Sequence, residues 1–218
     1  MTAAFVRRHT TARAASAVPE IVLHQADDAL GLWERTELAA GGAQLPPPFW
    51  AFAWAGGQAV ARYLLDHPDV VRGNRVLDVA AGGGVTAIAA ALAGASAVTA
   101  TEIDPAAVEA LALNAALNQV TVAAVCRDVL DEPVPDVDVV TAGDVFYNRD
   151  MAARVLTFLE RAAADGVAVL VGDPGRAYVP RGDLVELARY DIPVTHDLES
   201  AEIKATRVWT PKRGRMGA

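Results

Sequence analysis

The stretch from Val79 to Thr101 constrains this chain most: it holds 23 residues without one Asp, Glu, Lys or Arg. A run of that length can cross a bilayer as a helix, which needs ~20 apolar residues. The composition argues otherwise. Gly82-Gly83-Gly84 breaks the run near its start, and Ala, nearly neutral toward membrane insertion, supplies much of the rest. It reads as the end of a strand, a glycine turn, an Ala-rich helix over Val85–Leu92 and a second strand over Ala97–Thr101. The charges that bound it, Asp78 and Glu102, then sit at the carboxyl ends of two neighbouring strands.

The alternation continues on either side. Arg75–Val79 is the first strand of the series, and Asp104-Pro105 opens a helix reaching about Asn118, with Asp able to cap and Pro suited to the first turn. Strands follow over Val120–Val125 and Val137–Ala142, a helix over Met151–Ala163, and a strand over Val167–Val171. Leu184–Leu187 reads as a short helical piece. Tyr190–Thr195 and Ile203–Trp209, joined by a polar turn, read as a closing hairpin. The fold class is therefore α/β, a doubly wound, seven-stranded, mostly parallel sheet. Upstream, residues 1–19 carry Arg7, Arg8 and Arg13 with no acid before Glu20, which suits a basic helix ending near Pro19 or an import leader. A short strand or turn and a helix follow over residues 20–45, Pro46-Pro47-Pro48 ends that unit, and residues 49–66 read as a helix with Gly56-Gly57 near its start. Residues 1–45 are thus an N-terminal helical extension to a main domain over 46–218.

Composition limits the partners. The 218 residues are 53% hydrophobic, enough for a sizeable core, and carry a formal charge of −8. That charge argues against nonspecific nucleic-acid binding and suits a partner presenting lysines. One cysteine, Cys126, excludes a disulfide scaffold and is expected to be a buried core thiol. His24, His67 and His196 have no metal-ligand spacing.

Gly82-Gly83-Gly84-Val85-Thr86-Ala87 fits G-x-G-x-x-[GA] between a strand and a helix, a pattern several cofactor classes share. Its neighbours discriminate. A pyrophosphate beside Asp78 would be repelled, whereas a cofactor with a cationic amino group and no phosphate would be favoured; S-adenosylmethionine is such a ligand. Glu102 ends the second strand, where an acid can accept both ribose hydroxyls, and Asp128 follows the third, within reach of an adenine amino group. Open α/β sheets bind ligands at these carboxyl ends. The combination resembles the class I S-adenosylmethionine-dependent methyltransferases. A Rossmann oxidoreductase is the rival, without an evident nicotinamide-side His or Tyr-x-x-x-Lys.

The fourth strand ends Gly143-Asp144-Val145-Phe146-Tyr147, next to the topological switch point. This D-x-x-Y spacing resembles the protein-lysine methyltransferases marked by an acidic-x-x-aromatic motif. Only neutral lysine attacks a sulfonium methyl, and free lysine has a pKa of ~10.4. A carboxylate at Asp144 is expected to draw in and orient the amine, and Tyr147 to pack on its stem and stabilise positive charge. Phe49-Trp50-Ala51-Phe52-Ala53-Trp54 reads as a wall of the same channel or as a lid over the sheet edge. The block Pro47–Ala59, with Ala61–Pro68, Val70–Gly73, Gly143–Tyr147 and Val171-Gly172-Asp173-Pro174-Gly175-Arg176, is similar to the electron transfer flavoprotein β-subunit lysine methyltransferases. Ala80-Ala81 replaces the more usual opening of the glycine loop.

The resemblance implies a methyltransferase domain over 46–218 and a product S-adenosylhomocysteine. It places the cofactor at Asp78, Gly82, Gly84, Glu102 and Asp128, and the lysine channel at Asp144 and Tyr147; Trp54 and Gly57, from the aromatic block, and Ala80, Ile103 and Val129 are expected at the cofactor as well. The implied partner is the flavoprotein β-subunit, with no nucleic acid, membrane or metal, and the enzyme is expected to act as a monomer in a bacterial cytoplasm or, alternatively, the mitochondrial matrix. A small-molecule, nicotinamide-like N-methyltransferase and a noncatalytic donor-binding module are the alternative functions. Arg176 is left between pairing with a carboxylate and contacting substrate.

Overall fold

The computed structural model describes residues 2–194 and 202–212. The strands are β1 (Thr11–Ala14), β2 (Val22–Gln25), β3 (Arg75–Val79), β4 (Ala97–Glu102), β5 (Ala123–Cys126), β6 (Val139–Gly143), β7 (Ala168–Asp173), β8 (Leu184–Pro193) and β9 (Ile203–Pro211). The helices are α1 (Ala3–His9), α2 (Ala29–Ala39), α3 (Ala55–Asp66), α4 (Val85–Leu92), α5 (Pro105–Leu117) and α6 (Arg149–Ala164). β3 to β9 form a seven-stranded sheet of order β5-β4-β3-β6-β7-β9-β8, with β9 antiparallel to both its neighbours and the rest parallel. The chain starts this sheet in its middle, runs outward through β4 and β5, and returns to lay β6 on the other side of β3. The switch point between β3 and β6 is where such a sheet opens a crevice at its carboxyl edge.

Both faces are covered, which is why the strands read as near-continuous apolar runs. Val76, Val139, Leu170 and Val208 point to one face, packed with α3 and α4 through Ala59, Val60, Leu64, Ala87 and Ala90. Leu77, Val79, Val140, Val169 and Trp209 point to the other, against Val155, Phe158 and Leu159 of α6. At α5 the expected cap forms: the Asp104 side chain accepts from the Ala106 N–H, with Pro105 in the first turn.

Several expectations change. The N-terminal extension is not purely helical: α1 ends at His9, and β1 and β2 pair as an antiparallel hairpin. The helix expected over 49–66 is a 3-10 turn at Phe49–Ala51, an extended link, and then α3, because Trp54 adopts an extended backbone and starts the helix anew. Leu184–Leu187 is the start of β8; Leu184 is buried, the next three residues are exposed, and the strand's partner is β9, with a register shift between Glu186 and Ala188. Cys126 is exposed on the edge strand β5. The polar turn of the closing hairpin, with Thr195 and His196, and the end of the basic Lys212–Arg215 stretch lie outside the described residues. Among the described residues no helix is long and apolar enough to cross a membrane.

Candidate active site

A cavity of about 460 Å³ opens at the carboxyl edge over the switch point. Trp54, Ala80, Gly82, Glu102, Ile103, Asp128, Val129, Asp144 and Tyr147 all line it. Behind it lies a recess of about 50 Å³ that shares Trp54, Ala80, Gly82 and Gly143 and adds Gly57, Asp78 and Thr86. Of the residues expected at the cofactor, only Gly84 borders neither space. Its φ of +84° makes it the backward turn into α4, and a Cβ there would press to 2.8 Å from Leu111 Cγ. The fold itself requires glycine at position 84.

Two acids expected to face a ligand also bond the N–H groups at helix starts. α4 starts at Gly84 and has no capping side chain of its own. Asp78, 1% exposed, supplies one from β3: its Oδ2 accepts the Ala87 N–H at 3.1 Å and its Oδ1 accepts the Thr141 hydroxyl at 2.7 Å. Burial, with Glu102 nearby, pushes its carboxyl up to about 7 against those two hydrogen bonds. Asp78 therefore borders only the recess and does not open into the larger cavity. α3, started by Trp54, likewise has no capping side chain. Asp144 Oδ2 accepts the Gly56 N–H and, at 3.2 Å, the Gly57 N–H, placing a carboxylate on the positive end of that helix.

That contact needs backbones to touch. A Cβ on Gly56 would overlap the Gly172 carbonyl and Asp144, one on Gly143 would lie 2.6 Å from Gly57 Cα, and one on Gly172 would overlap Gly56. The start of α3 and the ends of β6 and β7 thus meet as a seam of glycines. Asp144 itself adopts φ +57°, a conformation costly for a residue with a Cβ, held by its N–H to the Gly172 carbonyl. Its other oxygen, Oδ1, accepts from Arg176 at 3.0 and 2.7 Å. Burial pushes the Asp144 carboxyl up, opposed by Arg176 and the two helix N–H groups. Asp144 lines the cavity with both oxygens already accepting hydrogen bonds.

The two ends of the cavity differ chemically. At one end Glu102 accepts the Gly82 N–H at 2.7 Å and the Ile103 N–H at 2.9 Å, and burial raises its carboxyl despite those bonds. Asp128 accepts from the Leu130 N–H and from Arg154; burial pushes its carboxyl up, but those two donors outweigh it and hold it low. Each carboxylate retains lone pairs for hydroxyl or amine donors. Arg127 and Arg154, the cations at this end, are already paired with Glu132 and with Asp128 and Asp131. The donor set fits a nucleoside with free hydroxyls and a cationic tail, and not a pyrophosphate.

At the other end aromatic rings form a continuous wall. Tyr147 lies 5.5 Å from Phe49, Phe49 lies 6.0 Å from Trp54, and the Arg176 guanidinium lies 5.5 Å from the Trp54 ring. Sequence reasoning missed Asn114. Fully buried on α5, it accepts the His24 N–H at 2.8 Å and donates to the Gly83 carbonyl at 2.8 Å, tying β2 to the glycine loop. A lone Asn on an Ala-rich helix was the available signal.

The sequence profile of the ribosomal protein L11 methyltransferase (PrmA) family matches residues 62–170. The electron transfer flavoprotein beta subunit lysine methyltransferase of Rattus norvegicus is 38% identical over 183 residues, covering 81% of this chain and 70% of the relative. Its Xenopus laevis counterpart is 35% identical over 213 residues, covering 94% and 85%. Among solved structures, the ribosomal protein L11 methylase of Lactobacillus delbrueckii subsp. bulgaricus superposes with a TM-score of 0.53 at 19% identity, covering 74% of this chain and 81% of that one. The fold is that of the class I methyltransferases.

Proposed function

From the premise that the chain belongs to the electron transfer flavoprotein β-subunit lysine methyltransferase family, we propose that it methylates lysine side chains of that β-subunit with S-adenosylmethionine as donor. The observation that carries the reading is the two-ended cavity over the switch point, with carboxylates for a nucleoside at one end and an aromatic wall at the other. The bound donor would supply a methyl group on a sulfonium. Glu102 would receive the ribose hydroxyls, and Asp128 the adenine amino group, with Ile103 and Val129 packing on the base. Ala80, Gly82 and Gly57 would let the donor's amino-acid end approach the backbone beside the recess, with Asp78 as the buried charge beneath it. Trp54, Phe49 and Tyr147 would sheathe the aliphatic stem of the lysine. Holding nitrogen, methyl carbon and sulfur in line accounts for most of the acceleration in such a transfer, so no strong base is required. Asp144 and Tyr147 remain the residues proposed at the acceptor nitrogen. A docked protein rather than a small free amine is the acceptor, and the enzyme works as a monomer in a bacterial cytoplasm or, alternatively, the mitochondrial matrix.

The test is incubation of the purified chain with isotopically labelled donor and purified electron transfer flavoprotein, with methyl groups mapped by mass spectrometry. Methyl-lysine on the β-subunit is expected. Faster turnover on nicotinamide or another free amine than on the flavoprotein would overturn the assignment.

A further inference from the structure

A buried carboxylate facing an incoming lysine would stabilise the ammonium, which is the wrong protonation state. Methyl transfer needs the nitrogen lone pair: the N–C bond forms as the C–S bond breaks, the electron pair goes to sulfur, and a proton then leaves the methylated nitrogen to solvent. The site as built addresses this. Arg176 donates twice to Asp144 Oδ1, its guanidinium lies over Trp54, and its own N–H is fixed by Asp173 Oδ1 at 2.7 Å. Its side chain is only 21% exposed, so it is part of the wall and not of the rim.

We propose that Arg176 is a positioning residue of the acceptor site that cancels the charge of Asp144 and thereby favours the substrate lysine as the neutral amine. The inference rests on the lysine-methyltransferase reading and refines it. Asp144 and Arg176 together carry no net charge, and the N-terminal N–H groups of α3 add positive potential on the same oxygens. Other charged groups line the cavity or stand beside it on every packed element. From β7 comes Asp173, whose Oδ2 is buried without a hydrogen bond and whose carboxyl is pushed up to about 6 by burial and by Asp144, against the turn N–H groups and Arg176. From β4 and its following turn come Glu102, bound to two backbone N–H groups, and Asp104, which caps α5. Beyond β5 lie Arg127 and Asp128, and on α6 Asp150 and Arg154, with the Arg127 and Arg154 charges paired as described. On the loop after β6, Tyr147 has its phenol pushed up by burial and Glu102. Arg176 is thus the cation bonded to Asp144 at the aromatic end of the cavity.

The test is the pH dependence of kcat at saturating flavoprotein for the wild type, Arg176→Lys and Arg176→Gln, with donor affinity measured by calorimetry for each. Arg176→Gln should move the rise of kcat, which titrates the bound lysine, up by about one pH unit, so that kcat falls about tenfold at pH 7 and approaches the wild type near pH 10. Arg176→Lys, which keeps the charge, should stay within threefold of the wild type at all pH values, and donor affinity should be unchanged in all three. A loss by the same factor at every pH would overturn the proposal in favour of a purely structural role. So would a tenfold loss of donor affinity, which would make Arg176 a donor contact. A wild type that leaves the flavoprotein unmethylated would instead refute the substrate reading, a result visible before any variant is made.

Discussion

Replacing Asp78 by Asn should make the empty enzyme more stable while weakening donor binding. Asp78 is 1% exposed, and its carboxyl is held near about 7 where an exposed one titrates at 3.8; burial is the main cause, Glu102 adds to it, and Thr141 and Ala87 oppose it. Because the folded-state value is the higher one, the native protein binds this proton more tightly than the unfolded chain. The stability contributed by the neutral carboxyl is complete in acid below pH ~4 and is lost as pH rises toward 7. Above pH 7 the loss amounts to ~4 kcal/mol, of which ~2 kcal/mol falls between pH 5.5 and pH 8. Asn is neutral throughout. It keeps one of the two hydrogen bonds unchanged and forces Thr141 to turn, at a cost of ~1 kcal/mol. The net gain at pH 8 is ~2–3 kcal/mol, or roughly 5–10 °C in Tm for a domain of this size, and it shrinks to under ~1 kcal/mol by pH 5. Urea denaturation followed by circular dichroism at the two pH values measures this directly. Calorimetry should show at least a tenfold weaker affinity for S-adenosylmethionine, since the recess loses its charge toward a cationic amino group. An Asn variant less stable than the wild type by the same amount at both pH values would show that the buried carboxylate carries no such strain.

Three further outcomes follow from the geometry. Gly172→Ala puts a Cβ into the Gly56 backbone, so it should destabilise the fold by ~2–4 kcal/mol and lower activity, as read by denaturant midpoint and methyl incorporation. Glu102→Gln should weaken donor binding ten- to hundredfold by calorimetry while the Tm moves by less than about 3 °C, because an amide still accepts one of the two backbone N–H bonds. Tyr147→Phe keeps the ring packed at 5.5 Å from Phe49 and should hold kcat/KM within threefold, whereas Tyr147→Ala should lose about tenfold.

The β/α alternation was legible because the strands are buried on both faces and the helices carry ordinary caps, as at Asp104-Pro105. The β1–β2 hairpin was not, because its residues Thr11–Ala14 and Val22–Gln25 lack a turn signature and are exposed on one strand throughout. Leu184–Leu187 misled because four apolar-rich residues do not separate a 2-residue from a 3.6-residue period, and β9 decides the matter from the far side of the closing turn. The positions of the acids at the cavity were also legible, since strand ends locate them. Their orientation was not. Asp78 and Asp144 bond the starts of α4 and α3, which begin with Gly84 and Trp54 and have no side-chain cap of their own. A reader of the linear sequence cannot see which helix start lies beside which strand end. Cys126 was misjudged for a similar reason: β5 is the edge strand, and only the sheet order shows it.

Asn114 joins two segments that the sequence divides at residue 45. One side chain receives the His24 amide of the hairpin and grips the carbonyl of Gly83 in the cofactor loop. The extension and the main domain therefore share at least one buried hydrogen-bonded link. Removing the hairpin would leave a buried amide oxygen without its donor, directly behind the loop that must meet the methyl donor. By the reciprocity of linked equilibria, a ligand that steadies the loop steadies the hairpin equally. The His24 amide is accordingly a natural hydrogen-exchange reporter for occupancy of a site it does not touch.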